Sequence, residues 1–171
     1  STASGGTTVQ GVGTKATGNQ SIIGSAGVDN ITFAPTLAVA ATVNSGTGAD
    51  VITLPTTATL TNTLKVTDTD GVTVALTAHS DGSDTITLGS STIATLTGVS
   101  GTTYSPIIIV PSSSSAFITA GAAWTPTSST SNAGNASVNA NGYALDLSTV
   151  SNVVGTSKGW KITNTGEATT L

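Results

Sequence analysis

The densest cluster of carboxylates in this 171-residue sequence consists of Asp68, Asp70, Asp81 and Asp84. They fall in two predicted loops that flank one strand and its return, so they could converge on a single cation. Calcium takes about six to eight oxygen ligands, and carboxylates with hydroxyl neighbours supply such ligands. Aspartate is also a common residue of tight turns, and this spacing matches no known calcium loop. We therefore expect no metal and no cofactor, with calcium at these four aspartates as the alternative.

The single histidine, His79, stands beside Ser80 and close to two of these aspartates, which are the residue types of a nucleophilic triad. Adjacent residues of an extended segment point to opposite faces, so His79 and Ser80 are poorly placed to share a proton. The only glutamate, Glu167, lies in a polar C-terminal stretch, and cysteine is absent. We predict no catalytic residue and no cofactor-binding residue, and hence a protein that is not an enzyme.

A short pattern, Gly-x-Asp-x-Ile-Thr followed by an apolar residue, occurs at 27–33, 48–54 and 82–88. It resembles one turn of the calcium-binding nonapeptide repeat, but that repeat needs copies in tandem every nine residues. These copies are unevenly spaced. We interpret each as a turn, in which Asp accepts a backbone N–H, followed by a strand.

The composition favours a structural role. The chain has only twelve charged residues, four lysines and eight acids, for a net charge of −4, and it contains no arginine. Nucleic-acid binding is not expected, because it normally needs several cations on one surface. No apolar run approaches the roughly 18 residues of a membrane-spanning helix, so no membrane partner is expected. A surface of hydroxyls and amides repels its neighbours weakly, which suits a chain packed in an assembly.

Alternating β-branched residues predict an all-β protein. The predicted strands include 37–43, 50–54, 63–69, 72–77, 84–88 and 92–97. Asp70-Gly71 between two of them predicts a two-residue hairpin, because both residues tolerate positive φ. Hairpins imply antiparallel pairing, so we expect an antiparallel β-sandwich or jelly roll.

The expected domain organisation has two parts. Residues 1–30 are rich in Gly, Ser and Thr and predict an extended N-terminal arm, since so little apolar surface cannot offset the entropy of ordering them. Residues 31–171 form a single β-domain, with a Ser- and Asn-rich loop at 127–142 and closing C-terminal strands within 143–171.

Four segments together resemble the β-domains of tailed-phage virion proteins, of the head decoration (cement) or fibre type. They are Asp50-Val51-Ile52-Thr53-Leu54-Pro55, the predicted hairpin at 63–77, Gly82-Ser83-Asp84-Thr85-Ile86 and Gly159-Trp160-Lys161-Ile162-Thr163-Asn164. The resemblance implies a virion surface role, often as a trimer on the capsid, and it implies no catalytic residue.

We therefore expect a structural capsid decoration protein that stabilises a phage head. Its expected partners are the major capsid protein and copies of itself in a homo-oligomer, of which a trimer is one form. The alternative is a secreted extracellular filament or surface-layer subunit, located outside the cell or on its surface and assembled by strand addition.

Overall fold

The fold comes from a computed structural model that describes residues 8–12, 20–33, 40–54, 62–76, 84–150 and 159–167. His79, Ser80 and Asp81 lie outside the described residues. All of the regular structure within these ranges is β.

The strands form two parallel sheets. The eight-stranded sheet contains, in spatial order, β1 (Thr8–Val12), β3 (Asn30–Phe33), β5 (Asp50–Thr53), β7 (Val72–Ala75), β9 (Ile93–Gly101), β11 (Ser115–Trp124), β13 (Asn135–Asn139) and β14 (Trp160–Thr163). The six-stranded sheet contains β2 (Gln20–Ile23), β4 (Ala40–Gly46), β6 (Thr63–Asp68), β8 (Thr85–Leu88), β10 (Ile107–Val110) and β12 (Ser131–Asn132).

The chain winds between these sheets as a parallel β-solenoid. Up to β12, consecutive strands alternate between the two sheets, and each strand pairs with the strand one coil later. The hydrogen bond from the Thr92 N–H to the Ser114 hydroxyl spans 22 residues, which is close to the length of one coil. A coil of this kind cannot bury its apolar face alone, so its core is made by stacking on its neighbours.

The expected antiparallel sandwich or jelly roll is wrong, although the strand positions predicted from the alternation largely hold. The predicted hairpin at Asp70-Gly71 is a corner of the solenoid, because β6 before it and β7 after it belong to different sheets. Asp68 shapes this corner by accepting hydrogen bonds from the N–H groups of Asp70 (2.9 Å) and Gly71 (2.6 Å). Gly71 has φ +130°, a conformation that glycine adopts at no steric cost.

Two regions that were predicted to be an extended arm and a loop, residues 1–30 and 127–142, contain β-strands. Within 1–30, β1 pairs with β3 and β2 pairs with β4, both in parallel. Within 127–142, β12 and β13 continue the two sheets. Between 143 and 150, a stretch that is fully described, the β-pairing is limited to an isolated parallel bridge from Trp124 to Leu145, and β14 ends the eight-stranded sheet.

The core is built of columns, because residues at one register position stack from coil to coil. One unbroken column starts at the register position of Val9 and contains Ile31, Ile52, Val74, Leu96, Ile118, Val138 and Ile162. Its members from Ile31 to Val138 are at most 2% exposed. A second column contains Val72, Ala94, Ala116, Ala136 and Trp160. The opposite sheet contributes Val43, Val66 and Leu88 to the same core.

Candidate functional site

Three aspartates are almost fully buried where the chain passes from the six-stranded to the eight-stranded sheet. Asp29 precedes β3, Asp50 begins β5 and Asp68 ends β6, and each is 1% exposed. The Asp29 N–H donates a hydrogen bond of 2.8 Å to Oδ1 of Asp50. We call these three residues the acidic corner. Their proximity follows from the stacking of coils, because they come from different turns of the chain.

Both oxygens of Asp68 accept hydrogen bonds. Oδ1 accepts from the two backbone N–H groups that shape the corner, and Oδ2 accepts from the Ser45 hydroxyl at 2.5 Å. Asp29 is held in a similar way, because its Oδ2 accepts the Ser25 N–H at 2.6 Å. Buried carboxylates require such donors, since an unsatisfied buried charge is costly.

Asp50 differs from its two neighbours because its Oδ2 is buried and has no hydrogen-bond partner. Burial raises the pKa of Asp50, and a hydrogen bond from the Asp29 N–H lowers it. The adjacent carboxyl group of Asp68 raises the pKa of Asp50 further, both by direct interaction and through its negative charge. The negative charge of Asp29 raises it as well. A proton on Asp50 would therefore satisfy the unpartnered oxygen and remove one buried charge. The surroundings of Asp50 thus favour its protonated form more than those of an exposed aspartate do.

Of the predicted calcium set, the structure places Asp84 apart from Asp68 and Asp70, and Asp81 lies outside the described residues. Asp70 is exposed, and its Oδ2 accepts the Gly48 N–H at 2.7 Å. Asp84 lies beside Asn62, whose backbone and side-chain N–H groups both donate to its Oδ1 at 2.8 Å. Asn62 and Asp68 are six residues apart on one extended segment, so Asp84 and Asp68 lie about 20 Å apart. Within the ranges that the structure describes, no group of three potential metal ligands is close enough to hold an ion.

Further along the same corner, hydroxyl and amide side chains take the place of carboxylates. Thr92 and Ser114 are buried, and the Ser114 hydroxyl accepts the Thr92 N–H at 3.2 Å and donates to the Gly89 carbonyl at 2.6 Å. Asn132 accepts the Gly134 N–H at 3.0 Å. These side chains satisfy backbone groups that the turn leaves unpaired, so their role is structural.

The C-terminal coils carry the second feature of interest, a surface cleft of about 320 Å³ next to the starts of β13 and β14. Its lining includes the exposed side chains of Phe117 and Lys161 and the polar side chains of Asn132, Asn135 and Ser137. Nearby, Trp124 and Trp160 pack edge to face with ring centroids 6.3 Å apart. Trp160 is the register neighbour of Ala136 and the last member of the second column.

Neither feature was predicted from the sequence, although the sequence contains a signal for the acidic corner. Two copies of the Gly-x-Asp-x-Ile-Thr pattern place Asp29 and Asp50 at equivalent positions of successive coils. A search for a period near 22 residues, instead of nine, would have indicated stacked coils. The cleft had no comparable signal, because its lining comes from three strands and from the turns before them.

In fold, the chain is a two-sheet parallel β-solenoid. No family model, no curated protein and no solved structure matches it. Across the described ranges, no helix has the length and apolar character needed to span a membrane.

Proposed function

We propose that this chain is a non-enzymatic structural subunit that stacks end to end with copies of itself to build a surface assembly. The observation that carries the proposal is the apolar column ending at Ile162 in β14. Ile162 occupies the same inward register position as the fully buried Val138, yet it is 40% exposed. Another coil stacked on β14 would bury it as the members of the column from Ile31 to Val138 are buried.

The two edges of the eight-stranded sheet support the same proposal. Among the described strands, β14 pairs only with β13, and β1 pairs only with β3. Unpaired parallel edges present a row of free N–H and C=O groups that can template another strand. The chain is also poor in charge, so few like charges would oppose association. The sequence suggested two kinds of assembly, a decorated phage capsid and an extracellular filament or surface layer. These edges favour the filament or surface layer, because it is assembled by strand addition.

The test is the concentration dependence of assembly, measured by analytical ultracentrifugation and electron microscopy. We expect the wild-type chain to form rods that lengthen with concentration, and Ile162→Lys to shift the protein to single units, because a lysine would be buried without a partner in the stacked state. Ile93→Lys is the matched control, because Ile93 is also 40% exposed but belongs to the interior strand β9. Wild-type protein that stays monomeric throughout, or equal assembly by both variants, would overturn the proposal.

A second candidate is the capsid decoration role, with a major capsid protein as partner at the virion surface. The outward face of the eight-stranded sheet favours it, because Thr73 and Thr95 are register neighbours on a surface that could lie against a shell. Binding of the purified chain to undecorated heads, followed by a rise in the heads' thermal stability, would support this role. Heads that fail to retain the protein would exclude it.

A further inference from the structure

The cleft on the C-terminal coils has an ordered arrangement of chemically different side chains. Phe117 is the register neighbour of Ser137, and Ser137 is the register neighbour of Lys161. The three residues therefore lie on adjacent strands β11, β13 and β14 at one outward register position. Neighbouring strands are about 4.8 Å apart, so the Phe117 and Lys161 backbones are about 10 Å apart with Ser137 between them. That span is comparable to a single sugar ring with its substituents.

The wall of the cleft is held by hydrogen bonds between the Asn132 side chain and the backbone. Asn132 accepts the Gly134 N–H through Oδ1 and donates through Nδ2 to the Gly159 carbonyl, so it joins the turns before β13 and β14. A Cβ atom at Gly134 would lie 2.3 Å from the carbonyl oxygens of Pro111 and Ser114, so a side chain there cannot be accommodated. A Cβ atom at Gly159 would meet nothing within 4 Å. The wall is thus packed tightly at Gly134 and open at Gly159.

The lining defines the class of ligand. Lys161 is the single charged residue among the described residues of the lining, so this part of the cleft favours an anion. Phe117 is 52% exposed and offers an apolar ring face, while Ser137 and the exposed Asn135 offer hydrogen-bonding groups. Ligand sites commonly combine an apolar surface with a few polar groups that fix orientation, and about 320 Å³ is at the small end of their volumes.

We propose that this cleft binds one carboxylated sugar unit, of the hexuronic acid type. Lys161 binds the carboxylate, Phe117 packs against the apolar face of the sugar ring, and Asn135 and Ser137 contact its hydroxyl groups. This binding does not depend on end-to-end assembly, because Phe117, Ser137 and Lys161 lie on the outward face of the sheet.

The test is a titration of the isotope-labelled full chain, followed by two-dimensional NMR, with glucuronate, glucose and acetate as separate ligands. We expect saturable shifts around Ser137 and Lys161 with glucuronate, and binding at least about tenfold weaker for glucose and for acetate, since a charge-assisted hydrogen bond contributes on the order of a tenfold change. Lys161→Gln should reduce glucuronate affinity to the level of glucose, and Phe117→Ala should weaken both sugars.

Lys65→Gln is the matched control, because Lys65 is also exposed and lines a smaller cleft of about 200 Å³ on the other sheet. It removes the same charge and should leave glucuronate binding unchanged, and melting curves of each variant would verify that it is folded. The proposal is overturned if acetate binds as tightly as glucuronate, if Lys65→Gln weakens binding as much as Lys161→Gln, or if no saturable shift occurs.

Discussion

The acidic corner makes a specific prediction about the stability of the fold. In Asp50→Asn, Oδ1 can still accept the Asp29 N–H, and the new side-chain N–H₂ group replaces the unpartnered Oδ2. This group can donate to the Asp68 carboxylate, whose interaction with Asp50 is unfavourable when both are charged. We therefore expect Asp50→Asn to stabilise the protein at pH 8.

The expected gain in the free energy of unfolding follows from Oδ2 of Asp50, a buried atom without a hydrogen-bond partner. A buried polar group without a partner costs about 1 to 3 kcal/mol, and the substitution removes one such group together with a buried charge. For a chain of this length, 1 kcal/mol corresponds to a shift in Tm of about 2 to 4 °C. Asp50→Asn should therefore raise Tm at pH 8 by at least about 2 °C.

The pH dependence provides the sharper test. The pKa of Asp50 in the folded state is raised above the ordinary value of 3.8. The stability that its proton contributes is therefore fully present below pH 3.8 and is lost as the pH rises through the folded pKa. The variant and the wild type should have similar stability near pH 3, and the variant should be the more stable one at pH 8.

The assay is thermal unfolding followed by circular dichroism at both pH values, with Asp84→Asn as the control. Asp84 is equally buried, but it accepts two hydrogen bonds from Asn62, so losing its charge should bring no gain in stability. The reasoning is refuted if Asp50→Asn lowers Tm at pH 8, or if its effect is the same at pH 3 and pH 8.

Three further predictions follow from the same structure. Ser114→Ala should lower the free energy of unfolding by about 1 to 3 kcal/mol in urea titration, because it leaves the Thr92 N–H and the Gly89 carbonyl without their buried partner. Gly98→Ala should also destabilise the fold, measurable as a lower urea midpoint, because Gly98 has φ +74° and a Cβ there would lie 2.4 Å from the Leu76 carbonyl oxygen. A chelator should leave Tm unchanged, because the two buried aspartates of the predicted calcium set lie near opposite ends of a strand; a clear fall in Tm would contradict this.

The alternation of β-branched residues was sufficient to predict individual strands. The predicted strands at 50–54 and 84–88 correspond to β5 and β8, and the late strand around Trp160 corresponds to β14. Side chains point to opposite faces in alternation along any strand, with a period of two residues. That period is the same in parallel and antiparallel sheets, so it carries no information about pairing.

The pairing was mispredicted because Asp-Gly suits more than one kind of turn. At Asp70-Gly71 only Gly71 has a positive φ, whereas the predicted type I′ turn needs it at both residues, and the segment forms a corner between sheets that Asp68 stabilises by accepting two N–H groups. The coil repeat was also obscured, since coils differ slightly in length: Asn30 pairs with Val51, 21 residues on, whereas Asp50 pairs with Val72, 22 residues on.

By itself, then, the sequence determined an all-β chain, the positions of most of its strands and a surface nearly free of charge, because these depend on local preference and composition. Only the tertiary structure decided that the sheets are parallel, that Asp50 meets Asp68 in a buried corner and that Phe117, Ser137 and Lys161 line one cleft. The physical reason is that each of these contacts joins residues from different coils. Their distance is set by how the coils stack, which no local pattern encodes.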